Sequence, residues 1–164
     1  MAVETTSSAF DEAQFDAIYP LGVERHYWNI CRNAVIARAV GNVGPGEILE
    51  VGCGKGLVVA DLRTRGFDAI GVVLAPVQPV PGMEAWVRTG VDLFDIDPGV
   101  FSDVRTVLLL DVIEHVEGPA DFVDRIRRHL PQAEAFIFTV PARQELFSNY
   151  DAFNRHHLRY DRHT

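Results

Sequence analysis

At 164 residues the chain has the length of one domain and can bury about two-thirds of its surface around a single core. A formal net charge of −8 excludes the basic footprint needed for a nucleic-acid backbone or an anionic membrane, the one local basic cluster lying in residues 154–163. Two cysteines without a C-x-x-C pair, no signal-like leader and no apolar run near the roughly 18 residues of a membrane span exclude a disulfide framework and a spanning helix, and predict a soluble cytoplasmic protein.

Residues 1–9 are small and polar and carry no inference. Residues 11–18 predict a turn or two of helix, ended by Tyr19-Pro20-Leu21-Gly22. Val23, Tyr27, Ile30, Ala34 and Ala37 then recur at three- and four-residue spacing, which predicts a helix over 23–40 with that face packed. The cluster Glu24-Arg25-His26-Tyr27-Trp28 with Arg32 is either a lid over a ligand or ordinary packing beside a solvated face. Residues 41–46 form a loop by composition and divide a helical arm, 1–40, from a sheet domain, 41–164.

Ile48, Leu49 and Val51 read as a buried strand that breaks into glycines at every second position, Gly52, Gly54 and Gly56. A strand feeding such a loop and then a helix is built to hold something small, because glycine admits positive φ and lets a ligand lie against the backbone. The dinucleotide pattern G-x-G-x-x-G fails at Leu57, and a Walker loop fails because no Ser or Thr follows Lys55. A helix over 57–65 with Gly66 past its end and a strand over 67–74 complete a βαβ unit, so the sheet is expected to be parallel. Three prolines within 75–82 predict a loop in place of a second helix. A short third strand is expected over 85–88, and 104–110, the most apolar run, reads as a central fourth strand. Pro119 opens a helix marked by Phe122, Val123, Ile126 and Leu130; residues 135–140 form the fifth strand, stopped by Pro141, and 142–164 show no clear period.

The segment E-x-G-x-G-x-G at Glu50 to Gly56 resembles the first motif of the class I S-adenosylmethionine-dependent methyltransferases. The D-x-x-E-H segment from Asp111 to His115 resembles the small-molecule branch, as do Val140-Pro141, Asp151 and H-x-x-R-Y ending at Tyr160. The resemblance implies an α/β, Rossmann-like, mostly parallel sheet of about five strands in the order 3-2-1-4-5 with helices on both faces, lacking the last two strands of the family. It also implies an N-terminal arm capping the cofactor cleft. S-adenosylmethionine would be held by Glu50, facing the ammonium, with Gly52, Cys53, Gly54 and Gly56, and S-adenosylhomocysteine would be the product. Asp92 and Leu93 stand at the adenine place, Asp111 and Val112 after strand four, and Val73 where the family has a carboxylate for the ribose hydroxyls. No carboxylate occupies that place here, and only Gln78 or Glu84 would reach in from the proline-rich loop.

His115 and His156 are the candidate catalytic residues, His115 as a general base whose ordinary pKa suits neutral pH. His156 with Asp151 is a second-choice metal pair; dispersed ligands argue against it, and no metal is expected. The expected reaction is methyl transfer to a small molecule, oxygen favoured, with a catalytically silent binding or assembly domain as the rival and a nicotinamide oxidoreductase as a distant third. Absence of [D/N]-P-P-[Y/F] argues against DNA adenine as acceptor. No nucleic-acid or membrane partner is expected, and an apolar fifth strand left as an edge predicts a homodimer or a covering tail.

Overall fold

The computed structural model describes residues 18–162. Five strands, β1 (Glu47–Val51), β2 (Ala69–Val73), β3 (Val87–Thr89), β4 (Val104–Leu110) and β5 (Ala135–Thr139), pair in the order β3-β2-β1-β4-β5. Every pairing is parallel, as the βαβ reading required. β4 has the boundaries its apolar run predicts and lies between β1 and β5, with six of its seven residues buried. β2 and β3 are displaced from their expected ends by one to two residues, and no helix joins them.

Two apolar clusters cover the two faces of the sheet. One joins Ile48, Val59, Leu62, Val73 and Leu108 to Ile36, Ala37 and Val40 of α1 (Tyr27–Gly41). The other joins Leu49, Val51, Val107 and Leu109 to Ile126 and Leu130 from α3 (Pro119–His129) and its end. α2 (Leu57–Thr64) opens directly from the glycine loop at Gly56 and buries Val58, Val59 and Leu62.

The arm departs from its predicted face. A short 3-10 turn, Val23–Arg25, precedes α1, and the helix buries Asn33, Ile36, Ala37 and Val40 while Tyr27, Trp28 and Ile30 are exposed. The period is helical, but the helix starts at Tyr27, after Pro20 and the left-handed Gly22, and docks on the sheet through the neighbouring stripe of Asn33, Ile36, Ala37 and Val40. The helical turn predicted for 11–18 lies outside the described residues except at Ile18.

The tail is more ordered than its lack of period implied. α4 (Asn149–Phe153) is set by a capping box in which the Ser148 hydroxyl accepts from the Tyr150 N–H and Asp151 accepts from the Ser148 N–H. Ala142 and Tyr160 then form a parallel bridge, so the tail closes over the carboxyl ends of β4 and β5. No helix among the described residues is long and apolar enough to cross a membrane.

β5 pairs only with β4 among the described residues, and none of its five residues is fully buried. Its free N–H and C=O row and the 39 % exposed Phe138 are the features that normally need a cover. Light scattering coupled to size exclusion is expected to show a dimer that Phe138→Lys shifts toward monomer; a monomer at micromolar concentration, indifferent to that change, would exclude pairing at this edge.

Candidate active site

The loop after β1 takes positive φ at each glycine: 79° at Gly52, 55° at Gly54 and 82° at Gly56. Packing alone demands two of them. A Cβ on Gly52 would stand 2.7 Å from Val112 Cγ2, and one on Gly56 would stand 2.6 Å from Val87 Cγ2. The middle glycine faces the arm, where a Cβ would run into the Tyr19 hydroxyl. Tyr19 therefore lies over Gly54, with the Lys55 ammonium 5.8 Å from its ring. The loop is anchored below by Gly52 N–H donating to Val72 O at 2.8 Å, and beside by Val80 N–H donating to Lys55 O at 2.9 Å, which folds the proline-rich segment against it.

Glu50, the last but one residue of β1, points its carboxylate into the protein under this loop. It is 5 % exposed, and Oε2 has no hydrogen-bond partner among the described residues. Burial pushes its pKa up to about 8, against the nearby Arg32 guanidinium, which lowers it. A buried carboxylate costs several kcal/mol unless a cation or donors meet it, so this position is suited to a ligand ammonium. Cys53 has its side chain buried, the sulfur packed against Gly71, so that only its backbone is available to a ligand.

Val73 is 6 % exposed and belongs to the apolar cluster, while Gln78 and Glu84 are exposed on the loop beyond. Asp92 caps a 3-10 turn, its Oδ1 accepting from the Phe94 N–H at 3.0 Å, and Leu93 is buried in the opposite cluster. The structure thus gives local duties to the pair expected at the adenine.

After β4 the chain turns at Asp111, a non-glycine residue held at φ 55°. Its Oδ2 accepts from Arg32 Nη2 at 2.6 Å and its Oδ1 from the Thr139 hydroxyl at 3.1 Å. Arg32 also donates to Thr139 Oγ1 at 3.3 Å, so α1 is tied across the ends of β4 and β5. Val112 follows, half-buried against Gly52.

Glu114 and the tail histidine meet beyond that turn. Glu114 is 1 % exposed, its Oε2 has no hydrogen-bond partner among the described residues, and burial pushes its pKa up to about 7. The His115 and His156 rings meet edge to face with centroids 4.7 Å apart. His115 also bonds the backbone at Asn154 and Arg155. Burial, and then His156, bring the His115 pKa down to about 4, which keeps the ring neutral and makes it a weaker base than its ordinary value implies. Asp151 is fully buried; its Oδ1 faces His156 Nδ1 at 3.0 Å and accepts from Arg159 Nε at 2.8 Å. The Arg159 bond holds its carboxyl well below the usual carboxylate range. His157 N–H donates to Glu114 O at 2.7 Å and the Tyr160 hydroxyl to Ile113 O at 3.2 Å, which locks the tail onto the D-x-x-E-H turn.

Sequence spacing did not reveal the Arg32–Asp111 bridge or the cover over Gly54, both of which depend on how the arm docks. The Ser148-to-Asp151 capping spacing was a usable signal for the tail helix.

A parallel sheet of order 3-2-1-4-5, with a glycine loop after its first strand and an acidic turn after its fourth, defines the class I S-adenosylmethionine-dependent methyltransferase fold. The chain belongs to the methyltransferase-domain family, whose model matches residues 24–164. It is 32 % identical over 102 residues to a ubiquinone biosynthesis O-methyltransferase of Rickettsia conorii, covering 57 % of this chain and 35 % of that protein. It is 26 % identical over 121 residues to one of Alkalilimnicola ehrlichii, covering 70 % and 49 %. The chain thus spans about a third to a half of the length of these curated relatives. Among solved structures, the methyltransferase domain of bacterial CtHen1-C superposes with a TM-score of 0.61 at 16 % identity, covering 80 % of this chain and 76 % of that one. The Burkholderia thailandensis 1,6-didemethyltoxoflavin-N1-methyltransferase, solved with S-adenosylhomocysteine, gives 0.50 at 21 % identity over 80 % and 61 %.

Glu50 supplies a pH signature. Its folded pKa of about 8 exceeds the ordinary 4.5, so between these values the folded state holds a proton that the unfolded state has lost, and stability falls as pH rises. Glu114 adds the same sign up to about pH 7. In thermal melts, Glu50→Gln should flatten this decline and raise Tm most near pH 8. An unchanged pH profile would mean that Glu50 ionises freely.

Proposed function

We propose that this domain transfers the methyl group of S-adenosylmethionine to an oxygen of a small-molecule acceptor. The observation that carries the reading is the buried Glu50 carboxylate with an unpartnered oxygen beneath a positive-φ glycine loop. In this reading Glu50 holds the cofactor's ammonium, the backbone of Gly52 to Gly56 follows its methionine end, and Val112 closes the side toward β4. Asp92 and Leu93 lie at the adenine end, and Val73 stands by the ribose without a carboxylate to hold it.

The cofactor, when bound, supplies an electrophilic methyl on a sulfonium with a good leaving group. The chain then has to align the acceptor and exclude water. Tyr19 over Gly54 and Arg32 across the strand ends support a capping role for the described part of the arm, from residue 18 to residue 40, with 41–164 as the methyltransferase domain. His115, whose pKa burial and then His156 bring down to about 4, is neutral at physiological pH and a weaker base than its ordinary value implies. The names of the curated relatives support oxygen as the acceptor atom. They also weigh against a catalytically silent domain, the alternative that the apolar Val73 favours.

Calorimetric titration should show S-adenosylhomocysteine binding and no comparable binding of NAD, with Glu50→Gln weakening the former by about tenfold or more, the range for a lost charged hydrogen bond. Methyl-labelled cofactor should pass its label to a hydroxyl-bearing small-molecule acceptor and not to the same compound with its hydroxyls O-methylated. Tighter NAD binding, or cofactor binding without turnover on any hydroxylated acceptor, would overturn the reading.

A further inference from the structure

Glu114, buried, and His115 and His156, half-buried, come together beyond β4 and form a ligand set. One donor atom from each of Glu114, His115 and His156 lies within 4.8 Å of the other two. We propose that these three residues form a divalent-cation site, for a first-row transition ion such as Mn2+, Co2+ or Zn2+, at the acceptor side of the cleft.

Three independent features support it. Glu114 is 1 % exposed with Oε2 unpartnered among the described residues, and the tail guanidinium of Arg159 is engaged by Asp151. A buried carboxylate oxygen of this kind is compensated by a metal ion as well as by an ammonium. His156 is oriented by the buried Asp151 through Nδ1, which leaves Nε2 as its free donor atom. That carboxylate–histidine arrangement is how proteins fix the tautomer of a metal-bound imidazole. The two halves of the set are also held rigidly together, since the backbone of His157 and the hydroxyl of Tyr160 bond the turn that carries Glu114 and His115.

Donor atoms about 2.1 Å from one ion stand roughly 3 to 3.5 Å apart, so a set spread over as much as 4.8 Å has to close by up to about 1.3 to 1.8 Å, through χ rotations of the three side chains. Two imidazoles and one carboxylate suit borderline divalent ions and leave coordination positions for water or other oxygens. The site lies on the same β4 turn as Val112, which touches Gly52 of the cofactor loop. An acceptor with two adjacent oxygens would complete the coordination and be oriented by it. This use of the ion rests on the methyltransferase reading, whereas the site itself rests on the geometry.

The test is titration of the chelator-stripped full chain with Co2+, followed by its visible ligand-field bands, with S-adenosylhomocysteine titrated into the same samples. One Co2+ per chain is expected, displaced by Zn2+, with Glu114→Gln and His156→Ala each weakening binding at least tenfold. His157→Ala, which changes an exposed side chain and keeps the backbone bond, should bind as the parent does. Circular dichroism confirms that each variant is folded. A chain that binds S-adenosylhomocysteine but no Co2+ would overturn the site and leave the methyltransferase reading standing. Co2+ binding that is unchanged in both folded ligand variants would overturn it as well.

Discussion

The close approach of two loops at Gly52 sets the rest of the site. β1 and β4 are neighbours in a parallel sheet, so both release their chains at the same edge, and Val112 packs where a Cβ on Gly52 would have to sit. Any side chain at 52 would clash and would also have to adopt φ 79°. This contact brings the glycine loop and the D-x-x-E-H turn side by side. It also brings the two buried acids, Glu50 and Glu114, within the electrostatic reach of the same Arg32 and Asp111.

Those two acids are the unbalanced part of the structure. Each is almost fully buried, each has an oxygen without a hydrogen bond among the described residues, and burial raises the pKa of each. By contrast, Asp111 and Asp151 have guanidinium partners, Arg32 and Arg159. Folded proteins pair nearly all their buried polar atoms, and exceptions cluster where a ligand completes the set. The two carboxylates among these exceptions belong to the strand and turn that meet at the Gly52–Val112 contact, one beneath the glycine loop and one beside the tail.

Much of the sheet was legible because its signals are local. The apolar run 104–110 can only be a strand buried on both faces, and the three prolines of 75–82 exclude a helix wherever the segment packs. The glycine loop was legible as a loop, but spacing did not show that Gly52 and Gly56 serve packing while Gly54 lies under Tyr19. Asp92 reads equally well as a ligand acceptor or a turn cap, and the Phe94 N–H bond shows the cap. His115 reads as a base by its ordinary pKa, whereas desolvation beside His156 comes only from the fold. The tail reads as polar and aperiodic because its order comes from one buried residue, Asp151, and from backbone bonds to a turn more than forty residues earlier.

The most direct measurement is a crystal structure of the chain with S-adenosylhomocysteine. The expected result is the cofactor's amino group within hydrogen-bond distance of Glu50 Oε2, its methionine end along Gly52 to Gly56, and Tyr19 moved from Gly54 or packed over the ligand. Cofactor bound elsewhere, with the Glu50 carboxylate still unpartnered, would contradict the central claim.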